Sequence, residues 1–292
     1  MSLIAELARR VVRFDGAMGT MLLDRGLGLG TPPERWVLDR ADEVLAVHRA
    51  YIDAGAEVLT TCTFGANAIH LARAGLAERG EEICRRAVAL AREAGGGHCW
   101  IAGDLGPIWP PAGAANAPSA SERTEAYAEH ARWLAAAGAD VLLVETQLAL
   151  DEARTALAAA RATGRPVIVT MTYGTPERLA DAALAGAEAA SLERAGAAAV
   201  GANCMLTAEH LRPVVVGMVK TTALPVVARP NAGQPRRTGD GRFVYEETPQ
   251  GFARGIAALA EAGAHGVGGC CGTTPAMIAA ARTALSSARA GS

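Results

Sequence analysis

Eight short apolar runs, each separated from the next by a stretch with helical spacing, predict an α/β fold closed as a single-domain (β/α)8 TIM barrel over residues 1–292. A repeated phrase supports it: an alanine-rich helical run ends in glycine and passes at once into an apolar run. It occurs as AGAEVL (54–59), AGADVL (137–142), AGAAAV (195–200) and AGAHGV (262–267). Glycine takes the left-handed conformation that ends a helix, and the apolar run after it reads as a buried parallel strand. An open doubly wound sheet is the competing architecture.

In chain order, strands are expected at residues 11–15, 57–61, 100–104, 141–145, 167–171, 198–203, 225–229 and 265–269. The stretches 42–54, 121–137 and 248–262 carry apolar residues at helical spacing with charges opposite. The N-terminal MSLIAELARR reads as an amphipathic helical turn rather than a secretion signal. Two longer connections break the rhythm, 106–120 and 230–249. Both follow strands, so in a barrel they rise from the C-terminal face, either as lids and substrate contacts or as plain surface loops. No shift of composition marks a second domain.

Half of the 292 residues are hydrophobic, enough to bury a large core. The formal net charge of -2 is spread along the chain, which leaves no basic stripe for nucleic acid. No apolar run approaches the roughly 18 residues that span a bilayer. A soluble cytoplasmic protein with neither nucleic-acid nor membrane partners is expected. The single lysine, Lys220, falls in an expected helix before a strand, on the wrong side of a barrel for Schiff-base catalysis.

The expected strand ends carry Asp15-Gly16, Thr61-Cys62-Thr63, Asp104, Glu145-Thr146, Thr172-Tyr173, Asn203-Cys204, Asn231 and Cys270-Cys271. Barrel enzymes draw their catalytic groups from this end of several strands. Cys204 ends the sixth strand and Cys270-Cys271 the eighth, one strand apart, so thiolates from both can reach a shared ion. Three thiolates suit zinc and leave one coordination position open. Two rivals stand beside that reading. A vicinal disulfide at Cys270-Cys271 requires a strained ring. A cysteine nucleophile wants a neighbouring histidine or other cation, and none of the six histidines falls near the expected thiols. Cys62, Cys84 and Cys99 read as small buried hydrophobes. Asp15 and Glu145 suit a general acid and base, a site for an amino group, or an internal salt bridge.

The motifs FDGAMGTML, VLTTCTFGAN, VETQ, GANC, PNAGQP and GGCCGTTP, taken together, resemble the homocysteine S-methyltransferase family from about Val11 to the C-terminal helix. The resemblance implies that Cys204, Cys270 and Cys271 hold zinc and that the thiol of homocysteine takes the fourth position. It further implies that Asp15, Gly16 and Glu145 hold the amino-acid end of the substrate, with Thr63, Phe64 and Asn231 nearby. The second motif departs from the family pattern at Thr60-Thr61-Cys62. A free thiol with a pKa of about 8.5 is mostly protonated at neutral pH, and zinc removes that proton, so the chemistry agrees with the resemblance. The methyl donor is left open among S-methylmethionine, S-adenosylmethionine and a methylated corrinoid, the last carried by a separate chain or by another part of a larger protein. Betaine would want an aromatic cage, for which Trp109 and Tyr173 are the candidate walls. Two alternatives remain: a non-catalytic zinc-thiolate module that binds homocysteine, and a methyltransferase for another thiol or a selenol.

Overall fold

Each of the four repeated phrases turns on its glycine. Gly55, Gly138, Gly196 and Gly263 have φ of 97°, 93°, 90° and 100°, in the left-handed region, and each separates a helix from the strand that follows. The computed structural model describes residues 1–108, 117–175, 180–239, 241 and 243–290. Its parallel strands are β1 (Val12–Arg13), β2 (Val58–Thr60), β3 (Trp100–Leu105), β4 (Val141–Gln147), β5 (Val167–Met171), β6 (Ala199–Asn203), β7 (Val226–Arg229) and β8 (Gly266–Val267). All eight fall within or overlap the expected runs.

Hydrogen bonding follows the order β1-β8-β7-β6-β5-β4-β3-β2. A parallel bridge between Phe14 and Val58, with bonds from Asp15 N–H to the Val58 carbonyl (3.0 Å) and from Glu57 N–H to the Arg13 carbonyl (2.8 Å), joins β1 to β2. The sheet therefore closes, as the barrel reading requires, and the open sheet is excluded. Helices surround it, among them Ala41–Ala54, Ala120–Ala136 and Pro249–Glu261 where amphipathic spacing predicts them. Ser119 and Glu122 form a reciprocal capping box that satisfies N–H groups at the start of the second of these.

Strand side chains alternate in direction, and the inward set forms one cluster inside the barrel: Val12, Phe14, Val58, Ala102, Leu143 and Val227 belong to it. The short helix Leu3–Leu7 closes the N-terminal end by burying Leu3 and Leu7 in that cluster. A second, larger cluster fills the space between strands and helices. The period of two has a consequence at the other end. Two residues beyond an inward apolar side chain the next inward position is polar: Ala102 leads to Asp104, Leu143 to Glu145 and Val227 to Arg229. The interior thus changes from oily to charged within one layer.

The 106–120 connection lies largely outside the described residues, and with it Trp109. The 230–249 connection carries a small antiparallel hairpin, Arg236–Arg237 with Phe243–Val244, which the apolar pattern does not signal. Lys220 caps the end of the helix Ala208–Val219, remote from the charged end of the barrel as expected. Among the described residues no helix is long and apolar enough to cross a membrane.

The fit of β6 against β7 is close enough to test. A Cβ on Gly201 would overlap the Val227 carbonyl, which cannot move without breaking the sheet. Gly201→Ala is expected to lower the unfolding free energy by about 2 kcal/mol or more, read as a lower urea midpoint with an unchanged slope.

Candidate functional site

The Sγ atoms of Cys204, Cys270 and Cys271 all lie within 4.8 Å of one another, and Cys204 and Cys271 are 3.8 Å apart. The exit of β7 brings them together. The Cys204 N–H donates to the Arg229 carbonyl (3.1 Å), the Cys270 N–H to the Pro230 carbonyl (2.8 Å), and the Ala232 N–H to the Cys271 carbonyl (3.0 Å). Cys204 and Met205 adopt left-handed backbone at φ 64° and 57°, as does Thr146 at φ 60° on the neighbouring wall. Such conformations cost non-glycine residues on the order of 1 kcal/mol each and gather at functional sites.

The three thiols share their protons. Hydrogen bonds from Cys204 and Cys270 hold Cys271 well below the usual thiol range, and the phenol of Tyr245, seated on Gly272, assists. Cys204 is pushed far up by its bonds to Cys270 and Cys271 and by burial. Cys270, favoured as a thiolate by Cys204, is nonetheless pushed up to about 12 by Cys271 and by burial. The trio therefore titrates as one unit. All six cysteines are free, so the vicinal disulfide is absent. No histidine joins the cluster; His48 and His130 are buried with ring nitrogens unpartnered, and His265 accepts from the Val226 N–H at the base of β7. The nucleophilic-cysteine reading thus lacks a histidine to take the thiol proton, and the cation near the sulfurs, Arg229, is already engaged by Asp15 and Glu145.

A cavity of about 280 Å³ opens beside the thiols. Gly16, Thr63, Phe64 and Glu145 border it. The Thr63 hydroxyl is spent on the Asp104 carbonyl (2.9 Å), and Phe64 stands 36% exposed, apolar surface at the mouth. Cys62, Cys84 and Cys99 are buried, and Cys62 also forms part of the cavity wall. Asp15 is buried behind that wall. Asn231 faces a separate hollow between the helices Ala208–Val219 and Pro249–Glu261, with its Oδ1 buried and without a partner. Tyr173 is fully buried with its hydroxyl on Glu188 Oε2 (2.7 Å), so it forms no aromatic wall.

Two residues dominate the electrostatics: Arg229, which the strand-end pattern did not single out, and Asp104, which it placed at a strand end without a role. Arg229, 3% exposed, donates through Nη2 to Asp15 Oδ1 (3.0 Å), through Nη1 to Glu145 Oε2 (3.3 Å) and through Nε to the Gly269 carbonyl (3.2 Å). Asp15 and Glu145 thus form the internal salt bridge that was one of the readings left open. An arginine closing the apolar run VVAR was the available signal, since a buried strand keeps a charge only with partners. The second residue is Asp104. Burial and the neighbouring Glu145 carboxyl push it well above the carboxylate range, and Glu145 is raised by burial against the pull of Arg229. Asn203 links this group to the sulfurs: its Nδ2 donates to the Thr146 hydroxyl (2.7 Å) and reaches Cys270 Sγ at 3.7 Å, while its Oδ1 accepts from the Thr170 hydroxyl (2.7 Å).

Burial pushes Asp15 up to about 6 from 3.8, although Arg229 and Thr60 favour its ionised form. The folded chain therefore binds more protons here than the unfolded chain between those values. This contribution to stability is complete below pH about 3.8 and is lost as pH rises through about 6. Urea unfolding of the wild type and Asp15→Asn should show the wild type losing stability relative to the variant across that window.

A family model described as homocysteine S-methyltransferase matches residues 12–285. The methionine synthases of Mycobacterium leprae (strain TN) and Mycobacterium tuberculosis (strain ATCC 25618 / H37Rv) are 32% and 33% identical over 94% of this chain. The chain spans 24% and 25% of their lengths, about a quarter of each. Among solved structures, the metallated form of the homocysteine methyltransferase MmuM from Escherichia coli superposes with a TM-score of 0.77 at 25% identity, covering 94% of this chain and 96% of that one. The carboxyl transferase domain of Rhizobium etli pyruvate carboxylase, at 16% identity and a TM-score of 0.54 over 90% of this chain and 40% of that one, shares the fold alone. With the thiol trio at the ends of β6 and β8 and a model match over nearly the whole chain, the protein belongs to the homocysteine S-methyltransferase family.

Proposed function

We propose that this chain methylates the thiol of homocysteine to give methionine, with zinc held by Cys204, Cys270 and Cys271. The observation that carries the reading is the sulfur spacing. Zinc bonds thiolate at about 2.3 Å in tetrahedral geometry, which sets the sulfur-to-sulfur edge at about 3.8 Å. Cys204 and Cys271 lie 3.8 Å apart. An all-sulfur donor set, with neither carboxylate nor imidazole in the cluster, selects a soft or borderline ion over magnesium or calcium.

Bound there, zinc would supply the charge that keeps an incoming thiol deprotonated near neutral pH. The remaining work falls to the chain. Arg229 spreads positive charge beneath the thiol layer and fixes Glu145 at the cavity wall. Phe64, Cys62 and the flanking backbone keep much of the cavity apolar, which excludes water from the reacting sulfur. In the transfer, the acceptor thiol releases its proton to solvent and the resulting thiolate attacks the methyl carbon in line. The new sulfur–carbon bond forms as the donor's methyl bond breaks, and the donor leaves with the electron pair.

S-methylmethionine and S-adenosylmethionine are donors that a single chain can use unaided. A methylated corrinoid carried by another part of a larger protein, or by another chain, is a further donor, and the likeness to methionine synthases about four times longer than the matched segment supports the first arrangement. In that arrangement the present fold is the acceptor-binding module. Acceptors other than homocysteine, a selenol included, are separated by comparison under one donor. The six free thiols suit a reducing compartment such as the cytoplasm.

The test measures methionine formed from homocysteine with each donor in turn, alongside bound metal. Zinc-loaded protein should turn over with at least one donor. Chelation, or serine in place of any one of the three cysteines, should lower the rate by about 1000-fold or more with loss of the ion. Undiminished turnover in metal-free protein would refute the proposal.

A further inference from the structure

One buried carboxyl at the cavity does not come from a barrel strand. Glu34 begins the short helix Glu34–Asp39, is 2% exposed, and borders the cavity with Met18, Pro33 and Phe64. Its Oε1 accepts from the Gly65 N–H (2.5 Å), in the turn that follows β2. The strand order puts β2 directly across the closed ring from β6, the strand that delivers Cys204. Glu34 therefore stands across the mouth from that thiol. Among the described residues no arginine, lysine or histidine pairs with it: burial pushes its carboxyl up, and only backbone N–H groups, those of Gly65 and of Glu34 itself, favour the ionised form.

Holding the turn at Gly65 explains an oxygen at this place but not a charge. A glutamine offers the Gly65 N–H the same acceptor without the penalty of burying an ionisable group. Glutamate is almost never fully buried unless paired, and the buried cation of this end, Arg229, is taken by Asp15 and Glu145. A carboxyl that lines a cavity and lacks a protein partner points to a cation that arrives with a ligand. The surroundings narrow its kind. Met18, Pro33, Cys62 and Phe64 offer an ammonium few acceptors for its N–H groups, whereas an onium centre bearing only carbon substituents has none to satisfy and lies well against apolar and aromatic walls. In-line transfer fixes the place. Acceptor sulfur, methyl carbon and leaving atom lie on one line, so the leaving atom sits beyond the methyl group, away from the acceptor sulfur at the trio.

We infer that Glu34 is the counter-ion of a sulfonium methyl donor, seated across the cavity from the cysteine trio. The inference rests on the proposed methyl transfer to a thiol and narrows its open donor to the sulfonium class. As the acceptor thiolate bonds to the methyl carbon, the sulfonium sulfur keeps the electron pair of the breaking bond and leaves as a neutral thioether. The charge that Glu34 holds is present before transfer and gone after it. Glu34 thus governs which donor binds and favours release of the spent one, and it leaves bond making to the sulfurs.

The test measures methionine formed from homocysteine by zinc-loaded protein with S-methylmethionine or with methyl iodide, a donor without charge. Trimethylsulfonium, an onium without an amino group, serves as competitor. Glu34→Gln keeps the acceptor for the Gly65 N–H and removes the charge. It should raise both the KM for S-methylmethionine and the inhibition constant of trimethylsulfonium by about 10- to 100-fold, hold kcat within about 3-fold, and leave the rate with methyl iodide within about 2-fold. Variants are compared at matched zinc content and unfolding midpoint, and Glu34→Ala replaces the glutamine variant if that fails to fold. A loss shared by methyl iodide, no change with either donor, or an inhibition constant that does not move overturns the assignment. A wild-type protein that works with methyl iodide alone overturns the sulfonium donor and leaves the acceptor standing. One that methylates homocysteine with neither donor overturns the proposed acceptor, and this assignment falls with it.

Discussion

Residues 229–232 at the exit of β7 hold the chemical centre together. Their backbone takes a hydrogen bond from Cys204 on one side and from Cys270 on the other, and returns one to Cys271. The thiols come from strands that never touch each other directly, since β7 lies between β6 and β8. Parallel pairing sets the height of each strand: Ala202 lies opposite Ala228 and Ala228 opposite Val267. Closing the barrel then leaves the three sulfurs only one place to meet. The left-handed backbone at Cys204 and Met205 is where the chain absorbs the cost of that convergence.

The same strand also carries the buried cation. Arg229 ties Asp15 of the first strand's exit to Glu145 of β4 across the top of the barrel. Removing a partner from such a group is costly because the others are left charged in a low-dielectric setting. The arrangement therefore fixes geometry more than it adds stability. Its reach into function lies in Asn203, which touches the carboxyl group on one side and the thiol layer on the other. The thiol layer and the carboxyl–guanidinium group share one hydrogen-bonded frame.

Much of the architecture is legible in the sequence because two signals coincide there. At four of the helix-to-strand turns the glycine and the apolar run after it mark the same boundary, and the strands that follow fall where that punctuation places them. The cysteines are legible for a related reason: GANC and GGCCGT stand at strand ends, and strand ends share a face. What escapes the sequence is the direction of individual side chains. Asp15 sits at a strand end like the others, yet it turns behind the cavity wall toward Thr60. Asn231 follows β7 but faces a different hollow. Arg229 is the last residue of its strand, so a reading that looks only past the end of each strand steps over it, and parity with Val227 is the signal that recovers it. The hairpin in the 230–249 connection has too few apolar residues to announce itself.

The backbone bonds between the PNAG and CCG segments bear on how such a centre can be transplanted. A designer who moved the adjacent cysteines alone onto another scaffold would carry the donor atoms without the peptide groups that aim them. The smallest portable unit is three neighbouring strands with their exits, because the middle strand supplies the carbonyls and the arginine that its neighbours require. Heritable variation faces the same bound: drift in the segment after β7 shifts the donor atoms of both flanking strands at once, so the two motifs are expected to change as a pair.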